Sequence, residues 1–141
     1  MTAPDPGHDP AKGQDPSNPR GLAKTRGDAG ELAVARYLQS HGFLLLAHQF
    51  LVPRLGEIDL VMKKGSCLYF IEVKARSGAA SYGSGLEQIT PAKVKKIRQA
   101  ALAYCQTTCN MNTEMRFLAA EVHLRHGEPD GKIRIVPIEM S

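Results

Sequence analysis

The run from Gly56 to Arg76, GEIDLVMKKGSCLYFIEVKAR, holds the residues that could do chemistry together: the acids Glu57, Asp59 and Glu72 and the lysine Lys74. Two carboxylates beside an ammonium form a set that can hold a hard divalent cation and balance charge on a phosphate. They meet only if the chain folds back between them. Apolar alternation on both sides of Gly65-Ser66 predicts two strands joined by a two-residue loop, with glycine in the first central position of a type II′ turn. The register follows: Lys64 opposite Cys67, Met62 opposite Tyr69, Leu60 opposite Ile71, Asp59 opposite Glu72 and Glu57 opposite Lys74.

Because side chains alternate with period two, Ile58, Leu60, Met62, Cys67, Tyr69, Ile71 and Val73 are expected on one wholly apolar, buried face. The other face carries Glu57, Asp59, Val61, Lys63, Leu68, Phe70, Glu72 and Lys74. Opposed residues have Cβ atoms roughly 4.5–5.5 Å apart, so Asp59 and Glu72 are expected side by side. At an effective dielectric of about 20 their repulsion is on the order of 3 kcal/mol. A proton, Lys74 or a bound cation could offset it, and Mg²⁺ or Mn²⁺ suits oxygen ligands with retained waters. A solvated ion-pair network would also account for these charges. Val61, Leu68 and Phe70 share the face, however, which calls for a covering element over partly buried like charges.

The elements that must position this hairpin are legible on either side of it. Asp28 as N-cap with Glu31 at N3 reads as a capping box opening a helix with Leu32, Ala35 and Leu38 at helical spacing, stopped by Gly42. Phe43 to Leu51 reads as a strand. Arg76 to Gln88 is rich in Gly, Ser and Ala and reads as a mobile loop. Thr90-Pro91 is an N-cap followed by proline at N1, starting a helix expected to reach Thr107 with Val94, Ile97, Ala101 and Tyr104 as its apolar stripe. Arg116 to Leu124 is an expected strand, followed by a turn through Gly127 and Gly131 and a last strand from Lys132 to Ile138, with Pro137 at an edge or strand end. A helix between the third and fourth strands implies a parallel crossover. The expected fold class is α/β: a mixed sheet flanked by helices in the order helix, three strands, helix, one or two strands.

The chain has 141 residues and a formal charge of +4, enough for one domain and compatible with an anionic partner. Residues 1–26 carry almost no apolar side chains and read as a disordered N-terminal arm, leaving 27–141 as the folded domain. No apolar run predicts a membrane span, and the start lacks a secretory pattern. Three cysteines without zinc spacing argue against a disulfide framework and for a reducing cytoplasm. Lys93, Lys95, Lys96 and Arg98 cluster early on the second helix, with Arg76 leading into the loop before it. Such a patch contacts phosphates without reading bases, although a solvated basic helix has the same pattern. Few aromatics interleave with it, so branched or duplex DNA read by shape is expected over single strands.

Gly30-Glu31, Gly56-Glu57-Ile58-Asp59-Leu60 and Glu72-Val73-Lys74-Ala75-Arg76 together resemble the YraN-like family of small bacterial proteins. That family is similar to archaeal Holliday-junction resolvases and to the PD-(D/E)-x-K restriction-endonuclease-like superfamily. The resemblance covers about Gly27 to Ile138. It implies a restriction-endonuclease-like fold and a metal-dependent endonuclease acting on DNA, with branched or junction DNA as substrate and a homodimer as the working unit. Asp59 and Glu72 would be ligands for Mg²⁺ or Mn²⁺, Glu31 an additional acidic ligand, and the Val73 carbonyl a further donor. Lys74 would orient the attacking water and stabilise charge on the phosphate. Gln88 and Lys93 lie where similar nucleases place auxiliary polar residues. The chain departs from the family where Asn-x-Arg commonly precedes Gly-Glu-Ile-Asp, here Phe50 to Val52, and where Arg-Phe-Asp is common, here Arg116-Phe117-Leu118. A non-catalytic nucleic-acid-binding module on the same fold is the alternative function, and an interaction scaffold a third.

Overall fold

A computed structural model describes residues 26–77, 89–108, 110 and 112–139. Most of the expected N-terminal arm, and the glycine-rich loop with Gln88, lie outside these residues. The elements run α1 (Arg26–Gln39), β1 (Leu44–Val52), β2 (Gly56–Lys64), β3 (Cys67–Ser77), α2 (Pro91–Thr107), β4 (Glu114–Arg125) and β5 (Glu128–Pro137). The five strands form one sheet in the order β1-β2-β3-β4-β5. All neighbours are antiparallel except β3 and β4, which run parallel across α2, so the sheet is mixed as expected. No helix among the described residues is long and apolar enough to cross a membrane.

Two apolar clusters separate by strand alternation. Leu60, Met62 and Ile71 pack with Val34, Ala35 and Leu38 of α1, while Val61, Leu68 and Phe70 pack with Ile97, Ala101 and Tyr104 of α2. The helix α2 is thus the cover that the second hairpin face required. Its start is as read: Thr90 Oγ1 accepts the Lys93 N–H at 3.2 Å and Pro91 opens the helix. At the end of α1, Gly42 has φ +92° and the Phe43 N–H returns to the Leu38 carbonyl at 3.1 Å, the glycine-terminated stop expected from the sequence.

Three local expectations are corrected. The helix α1 starts at Arg26, so Asp28 lies inside it and is not its N-cap. The buried stripe of α1 is Glu31, Val34, Ala35 and Leu38, with Leu32 only half-buried. The last strand begins at Glu128, because His126 and Gly127 both have positive φ and close a two-residue turn between Arg125 and Glu128. Gly131 instead lies within β5, where the register shifts opposite His123.

Candidate metal and phosphate site

The hairpin turn and its first pairs match the expected register: Gly65 has φ +62°, and Lys64↔Cys67, Met62↔Tyr69 and Leu60↔Ile71 are paired. The ladder then ends. Asp59↔Glu72 and Glu57↔Lys74 are not ladder pairs; Glu57 is exposed and pairs with Leu51 of β1. Beyond Leu60 the β3 backbone is met by a side chain, with Asp59 Oδ2 accepting the Val73 N–H at 2.8 Å.

The break coincides with an irregularity on β1. Gln49 has φ +52°, a left-handed conformation uncommon outside glycine, and sits between the pairs His48↔Leu60 and Phe50↔Ile58. Across this point the alternation reverses. Leu60 faces the α1 cluster and Ile58 the α2 cluster, so Ile58 leaves the apolar face it was expected to share with Leu60.

Asp59 still lies in the field of Glu72. Burial and then the Glu72 charge push its carboxyl up to about 7, against the opposing pull of the Val73 N–H and Lys93. Glu72 itself is buried and meets two ammonium groups at one oxygen: Lys93 Nζ lies 3.2 Å from Oε2 and Lys74 Nζ 3.5 Å. Lys74 follows Glu72 by two positions on β3, and Lys93 descends from the first turn of α2. Lys93, read from sequence as a phosphate contact on a basic helix, is therefore tied to the acidic pair. Lys95, Lys96 and Arg98 are exposed on the same helix.

Glu31 is buried but otherwise engaged. Its Oε1 lies 2.8 Å from His48 Nε2 and accepts a hydrogen bond from Gln49 Nε2 at 3.1 Å. This replaces the capping role expected for it. Glycine at position 30 lets α1 sit this close to the sheet, since a Cβ there would meet Ala75 Cβ at 3.3 Å. Among the described residues, no three His, Cys, Asp or Glu side chains gather into a metal-holding group. Asp59 and Glu72 are the close acidic pair, and two carboxylates are what Mg²⁺ needs when it keeps several waters.

Two residues missed by the sequence reading complete this end of the sheet. Glu121 on β4 is fully buried, level with Lys74 in the parallel register and 3.7 Å from Arg76 Nε. His48 supports Glu31 as above. The signal for Glu121 was a lone acid in the apolar strand run FLAAEVHL; for His48 it was indirect, since Glu31 lies on the buried i, i+3, i+4, i+7 stripe of α1 and so calls for a polar partner. The positions that depart from the family patterns are filled by apolar packing. Phe50 stands edge-on to Tyr104 with centroids 5.1 Å apart, and Leu118 packs against the α1 cluster.

The sequence profile described as Uncharacterised protein family UPF0102 matches residues 30–130. The chain belongs to UPF0102. This is the YraN-like family that the motifs resemble, and the UPF0102 match takes in Glu31, Asp59, Glu72, Lys74, Lys93 and Glu121. A UPF0102 protein of Deinococcus radiodurans is 37% identical over 125 residues, covering 87% of this chain and 97% of the relative. One from Symbiobacterium thermophilum is 34% identical over 113 residues, covering 80% and 92%. One from Shewanella halifaxensis reaches 43% over 81 residues, covering 57% and 70%.

Proposed function

We propose that this chain binds DNA and hydrolyses phosphodiester bonds with the help of Mg²⁺ or Mn²⁺, with branched or junction DNA as the preferred shape. The observation that carries the reading is the Asp59 and Glu72 pair, in which burial and then the Glu72 charge push the Asp59 carboxyl up to about 7, flanked by Lys74 and Lys93. Asp59 and Glu72 would hold the cation, which supplies water activation and neutralises charge developing on the phosphate. The Val73 N–H holds one Asp59 oxygen in place. Lys74, one third exposed, reaches out of the site and stabilises negative charge on a phosphate oxygen. Lys93 holds Glu72 from the helix side. Exposed Lys95, Lys96 and Arg98 extend a phosphate-binding surface along α2.

The test is cleavage of a panel of duplex, branched and single-stranded DNA with Mg²⁺ and with Mn²⁺, using Asp59→Asn and Lys74→Ala as controls. Nicking lost in both variants supports the proposal, and no cutting of any substrate with either metal removes the enzymatic claim. The alternative, a DNA-binding module without catalysis, draws on the engagement of Glu31 by His48 and Gln49 and of Glu72 by two lysines. It predicts salt-sensitive DNA binding with no metal-induced rise in melting temperature.

A further inference from the structure

The C-terminal ends of the parallel strands β3 and β4 carry a second polar group beside the acidic pair. On one face β3 presents Glu72, Lys74 and Arg76 at alternate positions, each about 6.7 Å from the next. On β4, Glu121 lies level with Lys74 and His123 level with Arg76. Glu121 is 0% exposed and its Oε2 is 3.7 Å from Arg76 Nε, while the Arg76 side chain keeps 25% of its surface in solvent. Arg134 of β5 pairs opposite Glu121, and the register shift in β5 brings Asp130 Oδ2 to 2.5 Å from His123 Nδ1.

A buried carboxylate is a poor device for stability, since an apolar side chain of the same volume serves as well. Its use lies in fixing a cation. Arginine grips phosphate through a planar fork, so its value depends on the orientation of that plane, and a buried negative charge on the Nε side, here at ion-pair rather than hydrogen-bond distance, biases it. Consecutive outward side chains on one strand face are spaced like consecutive phosphates of a polynucleotide backbone. Ligands of open α/β sheets also gather at the carboxyl ends of parallel strands.

We infer that Glu121 is a positioning residue that holds the Arg76 guanidinium against the phosphate next to the one at Lys74, so that the bound DNA strand runs along the C-terminal end of β3. This rests on the proposed DNA reading and adds the path of the strand. It separates Arg76 from the lysines of α2: Arg76 serves one defined phosphate, whereas the helix surface serves the duplex at large.

The test is binding of the full chain, in Ca²⁺ and without turnover, to a short duplex in which one neutral methylphosphonate linkage is stepped along a strand. Each linkage is read against Lys74→Ala, Arg76→Ala and Glu121→Gln, all first checked for folding by thermal melting. Wild-type protein is expected to lose about tenfold in affinity at two adjacent linkages, with a salt slope smaller by about 0.9 at each. The first loss is absent in Lys74→Ala. The second is absent in Arg76→Ala and in Glu121→Gln. Should Glu121→Gln not fold, Arg76→Lys decides, because it keeps the charge and lacks the fork. Wild-type behaviour of Glu121→Gln at every linkage, or of Arg76→Lys where that variant decides, overturns the inference, as do Lys74 and Arg76 effects on non-adjacent linkages. DNA binding with no position-dependent loss overturns this inference alone. Absence of DNA binding by the wild type overturns the proposed function with it.

Discussion

Asp59 of β2 accepts the Val73 N–H of β3 at 2.8 Å, so a side-chain oxygen stands where the ladder would have supplied a carbonyl. Asparagine can also accept that bond, and it removes the repulsion with Glu72. Asp59→Asn is therefore expected to melt at or above the wild-type temperature without metal. Asp59→Ala leaves the Val73 N–H without its acceptor and should lose about 1–3 kcal/mol. Denaturant unfolding of the two variants checks this, and a destabilised Asp59→Asn would contradict it.

The pH dependence of stability has an unusual sign for an acid. The Asp59 carboxyl is raised from an ordinary 3.8 to about 7, so between these values the folded chain keeps a proton that the unfolded chain has lost. Stability of the metal-free protein should fall as pH rises from about 4 to about 7 and then level, by a few kcal/mol at most at about 1.4 kcal/mol per tenfold change in proton affinity. The decline should be absent in Asp59→Asn. In Lys93→Met it should extend to higher pH, because Lys93 pulls the carboxyl down. A cation competing for the same carboxylate should raise the melting temperature more at pH 8 than at pH 6.

Lys93 and its neighbours on α2 should separate under salt. Lys93 Nζ is 3.2 Å from Glu72, whereas Lys95 and Lys96 are exposed. Neutralising Lys95 and Lys96 together should lower the salt slope of DNA binding by about 1.8 and leave cleavage at saturating DNA unchanged. Lys93→Met should change the slope less and depress the chemical step. Binding titrations at several salt concentrations, with single-turnover cleavage, distinguish the two. A slope lowered by about 0.9 in Lys93→Met, half the effect of the double variant, with the chemical step unchanged would merge Lys93 with the general basic surface.

Glu31 and His48 should act as a unit. Their contact is 2.8 Å, and both side chains are nearly out of solvent at 9% and 4% exposure. Glu31→Gln and His48→Ala should each lose about 1–3 kcal/mol, and the double variant less than their sum. If Glu31 contributes to the cation site, Glu31→Gln will also shrink the metal-induced rise in melting temperature. A supporting role alone leaves that rise unchanged.

Much of this site was readable because its parts are local. The turn at Gly65-Ser66 and the alternation around it specify the register from Lys64↔Cys67 to Leu60↔Ile71, and Thr90-Pro91 marks the start of α2. The reading failed where a neighbouring strand intervened. Nothing in Ile58-Asp59-Leu60 announces that the alternation reverses there, opposite a left-handed Gln49 that lies ten residues earlier in the chain and whose side chain bonds Glu31 of α1. Long-range partners were hidden for the same reason. Glu31 looked sufficient as a cap until His48 met it, and Glu121 gained meaning only when the crossover laid β4 beside Arg76.

The irregular backbone of β1 also bears on edge-to-edge pairing between chains. β1 is an edge strand, it contains no charged residue in LLLAHQFLV, and it leaves Leu44, Leu46 and Leu51 in solvent. Such an edge is an open template for another chain. The register shift between Leu45 and Ala47 and the left-handed Gln49 interrupt it, and irregularities of this kind disfavour edge-to-edge pairing. A substitution that let position 49 relax to an extended conformation would straighten the edge, and the molecule would become prone to aggregation even where its fold survived.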